Sequence, residues 1–447
     1  MNSNDIFVVP IQDKILLYSP LQKISALVNP AAAYVVRDYL FAGQAPPEKL
    51  KPLCSVFDSR PIEELEIRSG PLVAPVFLGL IPGGNDSWVC PFSGYRYQGG
   101  SSPVMPLKIA KKAVDAYFDR IIQGQQSMAD IRIYGGEDFP GTEVIFFAEA
   151  YARRCAREKG LSIHLELITE GGFSTQVAGW LADHFDQVVL FWDGENDSDK
   201  NQGIPQVEKN AQVFSEGQVD LVFWVKITKH NLHQLQEMTE QIIRAYTPKA
   251  IQFDTCDLMP LKGAKVSECP DPLLFAREFT QAAHMLEAYG ILPWHARANS
   301  HQPQISFCPV GKDALIVTPG GHVNTCILPE GAWREKGLPF QIGKIAKGSV
   351  AVDYRALNDT RASSYLKAER CEDCFCLFHC AGGCPLDEIG KGDQTRFDNA
   401  CIQTRLVTLS NLLREMGQYD VAKAWLDLLT PDQLANVVVS DRLRDLQ

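Results

Sequence analysis

Eight cysteines crowd the last third of this chain. Cys308 and Cys326 come first, then Cys371, Cys374, Cys376, Cys380 and Cys384 in one short stretch, and Cys401 follows. Thiolates packed this closely repel one another and oxidise unless a cation holds them, and iron–sulfur clusters and zinc are the usual holders. Seven of the eight form an ordered series of Cys308, Cys326, Cys371-x2-Cys374-x5-Cys380-x3-Cys384 and Cys401. A tetrahedral zinc takes four ligands and would leave three thiolates idle, whereas two iron–sulfur clusters can use four and three. Two iron–sulfur clusters are therefore the expectation, with a single structural zinc, or free thiols or disulfides, as the other readings.

The rest of the chain fits an intracellular reading. The start, Met-Asn-Ser-Asn-Asp-Ile, lacks a basic region followed by an apolar core, and no stretch approaches the roughly 18 uninterrupted apolar residues of a membrane span. The expected location is the cytoplasm, where clustered cysteines read as metal ligands rather than bridges. A hydrophobic content of 45% with 22% charged residues describes ordinary globular folding. The net charge of −11, without a dense Lys/Arg run, argues against nucleic acid as a partner.

Between Pro75 and about Gly290, short β-rich apolar runs alternate with longer amphipathic ones, the pattern of a parallel sheet wrapped by crossover helices. Six strands are expected: 76–81, 131–134, 163–168, 187–192, 221–227 and 250–254. Helices are expected over 107–122, 144–158, 175–184, 207–213, 230–246 and 273–289. Six units are too few for a closed eight-stranded barrel, so the expectation is an α/β fold built on a partial, TIM-like (β/α)6 barrel. Ligands then belong at the carboxyl ends of the strands. Those ends carry Gly135-Gly136-Glu137-Asp138, Thr169-Glu170-Gly171-Gly172 and Asp193-Gly194-Glu195. Singly each reads as a tight turn; together, glycines let a ligand approach the backbone while the carboxylates can bind an amine or ribose hydroxyls.

The six-unit barrel, the Gly-Gly-Glu after the second strand, the Asp-Gly after the fourth and the seven-cysteine series together resemble the radical S-adenosylmethionine (SAM) enzymes that bear a SPASM auxiliary-cluster domain. Many of these modify ribosomally made peptides. The resemblance covers roughly residues 75 to 405 and implies a domain order. A strand-and-helix module spans 1–70, a radical-SAM-like barrel 71–295, a SPASM iron–sulfur domain 296–405 and a helical extension 406–447. It places Gly135, Gly136 and Glu137, with Asp193, at the SAM site. It also implies two auxiliary clusters, expected to be 4Fe–4S. Cys371, Cys374, Cys380 and Cys401 match one. Cys308, Cys326 and Cys384 match the other, whose fourth position is open or filled by another group. Cys376 lies outside the family spacing, as a spare thiol or a substitute ligand.

One departure governs the function. After the first barrel strand the family carries Cys-x3-Cys-x2-Cys, which holds the cluster that cleaves SAM. Here Asp86, Cys90 and Ser93 occupy those places. A serine hydroxyl is a poor iron ligand at neutral pH, and losing two thiolates removes much of the binding energy. The expectation is a degenerate radical SAM protein without independent catalysis, its catalytic residues unassigned. It keeps its auxiliary clusters and serves as partner to an intact homologous radical SAM chain in modifying a precursor peptide. SAM binding to the remaining barrel is left open. An active peptide maturase with a non-standard cluster is one alternative, and a zinc-containing binding module the other.

In the first 70 residues, two short strands around Gln12-Asp13-Lys14 and a helix over 29–41, with Asn29 as cap and Pro30 at its first position, precede a second helix ending at Phe57. Such a module suits either capture of a leader peptide at a sheet edge or a plain cap on the barrel. Helices are expected over 406–416, 421–429 and 431–446. No Ser-His-Asp set, phosphate loop or His-Glu-x-x-His element is evident. His230 and His233 read as helix-surface or packing residues, and His379 as a donor to a cluster sulfur.

Overall fold

The computed structural model describes residues 6–59, 69–83, 87–93, 96–98, 103–135, 141–192, 204–255, 269–299, 303–334, 336–346, 349–365, 371–388, 398–430, 434 and 440–446. Asp86, Gly136, Glu137, Asp193 and Cys256 lie outside them.

The chain opens with β1 (Phe7–Ile11), β2 (Lys14–Ser19) and β3 (Ile24–Val28), an antiparallel meander. Then come α1 (Pro30–Ala42) and α2 (Lys51–Phe57). Helix α1 starts as its sequence dictates: Asn29 Oδ1 accepts from Ala32 N at 2.8 Å, Pro30 needs no partner for its nitrogen, and Gly43 closes the helix at φ 67°.

The barrel follows. Strand β4 (Leu78–Leu80) leads into the short hairpin of β5 (Ser87–Val89) and β6 (Arg96–Gln98), and α3 (Leu107–Gln123) returns the chain. Then β7 (Met128–Tyr134), α4 (Thr142–Lys159), β8 (Ser162–Thr169), α5 (Thr175–His184), β9 (Gln187–Trp192), α6 (Ile204–Glu216), β10 (Asp220–Ile227), α7 (Leu235–Ala245), β11 (Ala250–Thr255), α8 (Pro272–Ala288) and β12 (Leu292–Trp294) alternate. Strands β4 and β7 to β12 are hydrogen-bonded in sequence order, all parallel. The six expected strands are present, and β12 is a seventh that Pro293 disguised in the sequence. Helix α7 starts later than its periodicity suggested, because the Asn231 side chain accepts from Thr228 N and diverts the backbone into a turn. His230 and His233 are exposed on that turn.

Beyond the barrel, β13 (Leu315–Val317) pairs in parallel with β4, and β14 (His322–Asn324), β15 (Gln341–Ala346) and β16 (Ser349–Val352) extend the same sheet antiparallel. Helices α9 (Glu330–Arg334), α10 (Tyr354–Tyr365), α11 (Leu377–Cys380), α12 (Pro385–Glu388), α13 (Asn399–Glu415) and α14 (Tyr419–Leu428) complete this region. Of the helix expected over 431–446, Leu434 is helical and buried in the main core, and most of 431–439 lies outside the described residues. Its last part is corrected: residues 441–442 form β17, which pairs with β1, and a single 3-10 turn follows, with Leu443 buried under the N-terminal sheet.

Two cores divide the barrel strands by side-chain parity. Leu165, Leu167, Val188, Leu190, Leu221, Phe223, Ile251 and Phe253 pack outward beneath the helices. Tyr134, Ile168, Val189, Phe191, Val222, Trp224 and Ala250 form the inner face, which shares a single apolar cluster with four cysteines.

Candidate metal centre

The loop after β4 is seated over that inner face. Its two ends are drawn together at Gly83, whose φ is 93° and where a Cβ would stand 2.1 Å from the Pro103 carbonyl oxygen; only glycine permits this approach. Further along, Gln252 Nε2 on β11 donates to the Pro91 carbonyl at 3.0 Å, fixing the turn that carries Cys90 and Ser93. Gln252 also bonds Asp254, which accepts from Trp224 Nε1 at 3.0 Å and lies 3.0 Å from His295 Nδ1. Composition and spacing did not point to this buried polar group. The rule that ligands sit at strand ends could have found Asp254, at the end of β11.

Cys90 is 6% exposed, Cys308 8%, Cys326 8% and Cys384 7%, and all four belong to the inner apolar cluster. Four separate segments deliver them: the turn after β5, the residue before the 309–312 turn, the segment after β14, and the link between α11 and α12. Burial drives every one of these thiols toward its protonated form, Cys384 up to about 12; neighbouring thiols add to the effect at Cys308, Cys326 and Cys384, and the Asp254 charge at Cys90. Cys326 feels Cys90, Cys308 and Cys384 together. Cationic side chains surround the group: Lys312 eases Cys308, Arg297 eases Cys384, and Lys336 lies within the field of Cys384. Ser93 Oγ lies against both the Cys90 and Cys384 sulfurs, buried and aligned for a hydrogen bond with no group.

The second group is built differently. Cys371, Cys374, Cys376 and Cys380 ride on successive turns, with Cys374 N bonded to Cys371 O and Cys380 N to Cys376 O. Cys401 stands in the first turn of α13, its N–H held by Asp398 Oδ1 at 2.8 Å. One turn on, Arg405 donates to Cys374 Sγ at 2.8 Å with its guanidinium over the Phe375 ring. Residues four apart share a helix face, so Cys401 faces the same segment as Arg405. A hydrogen bond from Cys376 and then the Arg405 charge bring Cys374 down to about 6. Cys376 is thus the neighbour of Cys374 and is also bonded by Thr408.

The His379 ring, expected to serve a cluster sulfur, has both its nitrogens placed against oxygens. One ring nitrogen bonds Tyr18 Oη of β2 and the other the Asn299 carbonyl at 2.8 Å. Of the expected SAM-site residues, Gly135 is described: its N–H bonds Ile168 O at 2.8 Å and so ends the β7–β8 ladder.

Buried thiols of this kind are donors that both iron–sulfur clusters and zinc take. Among the described residues no three His, Cys, Asp or Glu side chains converge as one ion requires. A tetrahedral zinc would hold four sulfurs at about 2.3 Å from one point. Thiolates on different irons of a cluster are held further apart, and the quartet's burial and mutual repulsion call for a multiply charged cation.

No protein-family sequence model matches the chain, and no curated protein sequence does. Solved structures match. Native anSMEcpe with bound AdoMet gives a TM-score of 0.58 at 17% identity, covering 77% of this chain and 99% of that one. The same enzyme with bound AdoMet and Cp18Cys peptide gives 0.57 at 18%, covering 78% and 99%. Streptococcus suis SuiB gives 0.49 at 14%, covering 89% and 98%. At such identities the likeness is one of fold, and the fold of this chain is that of anSMEcpe. Among the described residues no helix is long and apolar enough to cross a membrane.

Proposed function

We propose that this chain is a degenerate radical SAM/SPASM iron–sulfur protein, a partner subunit in the modification of a ribosomally made peptide whose chemistry an intact homologous chain supplies. One observation carries the reading. The loop after β4, where the family holds three thiolates, offers Cys90 alone, with Asp86 and Ser93 in the other places. An aspartate can ligate iron, but a serine hydroxyl is a poor ligand at neutral pH, and the loss of two thiolates removes much of the binding energy. The inner face supports it: Tyr134, Phe191 and Trp224 are all buried there, with Phe191 and Trp224 packed edge to face at 5.0 Å. Gly135, Gly136, Glu137 and Asp193 are then remnants of a SAM site, and Cys371, Cys374, Cys380 and Cys401 ligands of one auxiliary cluster. Bound clusters would supply one-electron transfer, and this chain's part is to hold them and to present peptide at its N-terminal sheet.

The test is anaerobic incubation of the purified, reconstituted chain with SAM and a strong reductant. No 5′-deoxyadenosine above background is expected, with about eight irons per chain rather than about twelve. Deoxyadenosine formed by the isolated chain would establish instead the active-maturase reading.

A further inference from the structure

We infer that Cys90, the single thiol of the depleted loop, is the fourth ligand of the auxiliary centre carried by Cys308, Cys326 and Cys384. The inference rests on the reading of that loop as one that builds no cluster of its own. Its ground is position. Cys90 is as buried as the other three and lies in their apolar cluster, although its loop belongs to the barrel and theirs to the cysteine-rich region. Ser93 Oγ, in the same turn as Cys90, interacts with the sulfurs of both Cys90 and Cys384, so one hydroxyl lies between the barrel loop and the cysteine-rich region. The turn is not free to swing away: the Gly83–Pro103 pinch closes the loop behind it, and Gln252 grips the Pro91 carbonyl next to Cys90.

The alternative, a buried thiol that merely packs, leaves two facts without a purpose. A free cysteine in a core is ordinarily surrounded by carbon, yet this one shares its apolar cluster with three other thiols. Ser93 Oγ, buried beside it, is turned toward thiols and has no oxygen or nitrogen partner. Both facts are accounted for if the four sulfurs close on a cluster, whose sulfides accept the serine hydroxyl. The loop that has lost its own centre is then fastened to the neighbouring one, and the open position is filled from within the chain.

The test compares anaerobically reconstituted protein with its Cys90→Ala variant, with Cys308→Ala as the positive reference and Cys155→Ala, on the core-facing side of α4 and away from the inner cluster, as the negative one. The unmutated chain is expected to carry about eight irons. Cys90→Ala should lose one iron on mild oxidation and show the spin-half signal of a three-iron cluster, or lose that centre entirely as Cys308→Ala does. The other centre's signal and the circular dichroism should persist in either case. Cys90→Ala with full iron and unchanged spectra overturns the assignment and leaves the proposed function standing. A fall from about twelve to about eight irons, with loss of deoxyadenosine formation, overturns the proposed function instead. Should the variant not fold, the unmutated holoprotein decides. Added cyanide or imidazole should leave the spectra of both reduced centres unchanged if every iron already carries a thiolate, and a shift would overturn the assignment.

Discussion

At the scale of single residues, Arg405 shows how this protein tunes what it holds. Its guanidinium is buried, stacked on Phe375 and bonded to Cys374 Sγ, so a positive charge is fixed beside one thiol of the proposed Cys371/Cys374/Cys380/Cys401 group. Hydrogen bonds to a ligand sulfur favour the more negatively charged, reduced state of a centre. Arg405→Met should therefore lower that centre's midpoint potential by on the order of 60 mV, the equivalent of about 1.4 kcal/mol for one electron. A redox titration followed by electron paramagnetic resonance measures it, and an unchanged potential would count against Arg405 as a tuning residue. The cysteines were legible in the sequence because metal chemistry forces thiols into short spacings. Arg405 was not, because an arginine in an amphipathic helix looks like surface until its partner is known. The His379 contact with Tyr18 was hidden for a related reason: the two lie 361 residues apart. Cys90 stood out as the remnant of a motif, but the sequence held no sign that its turn reaches the C-terminal thiols.

At the scale of elements, periodicity carried most of the reading. Strand β9, Gln-Val-Val-Leu-Phe-Trp, is buried on both faces and so shows as a continuous apolar run. Strand β3 was missed because its five residues are all half-buried, which leaves no alternation to read. Between elements, a buried ion pair is the main tie that no pattern announced. Arg361 of α10 reaches Asp313 through Nε at 2.8 Å and Nη2 at 2.6 Å, and its Nη1 donates to the Gly70 carbonyl. That arrangement joins α10, the 309–312 turn next to Cys308 and the entry to the barrel. Both partners are 4% exposed, so removing one strands the other. Asp313 has φ 60°, a conformation asparagine tolerates, so Asp313→Asn removes the charge without forcing the backbone. The loss should be about 3 kcal/mol in denaturant unfolding. A loss below about 0.5 kcal/mol, the usual surface value, would show that the pair is not the tie described.

At the scale of the whole molecule, the two ends of the chain meet on the cysteine-rich segment. Strand β17 pairs with β1 through Phe7–Arg442 and Val8–Asp441, and Leu443 N bonds Ile6 O at 2.7 Å. The same short tail turns its other side to the Cys371–Cys374 segment. Arg442 donates to the Glu372 carbonyl and lies 3.0 Å from an Asp373 carboxylate oxygen, while Ser440 Oγ donates to the Asp373 carbonyl. Tyr18 of β2 makes a second link, through His379. The N-terminal sheet is therefore tied to the cluster segment twice, and the tail supplies one of the ties. Backbone pairing that a short edge strand provides opens readily once the strand is gone, because the amides it covered return to water. Deleting residues 440–447 should lower hydrogen-exchange protection at β1 and across residues 371–374 together, while β8 to β11 exchange as before. Mass-spectrometric exchange on the full-length and shortened holoproteins reads this directly. Protection lost at β1 alone would mean that Tyr18 and His379 suffice to hold the sheet against the cluster segment, and that the tail serves the sheet only.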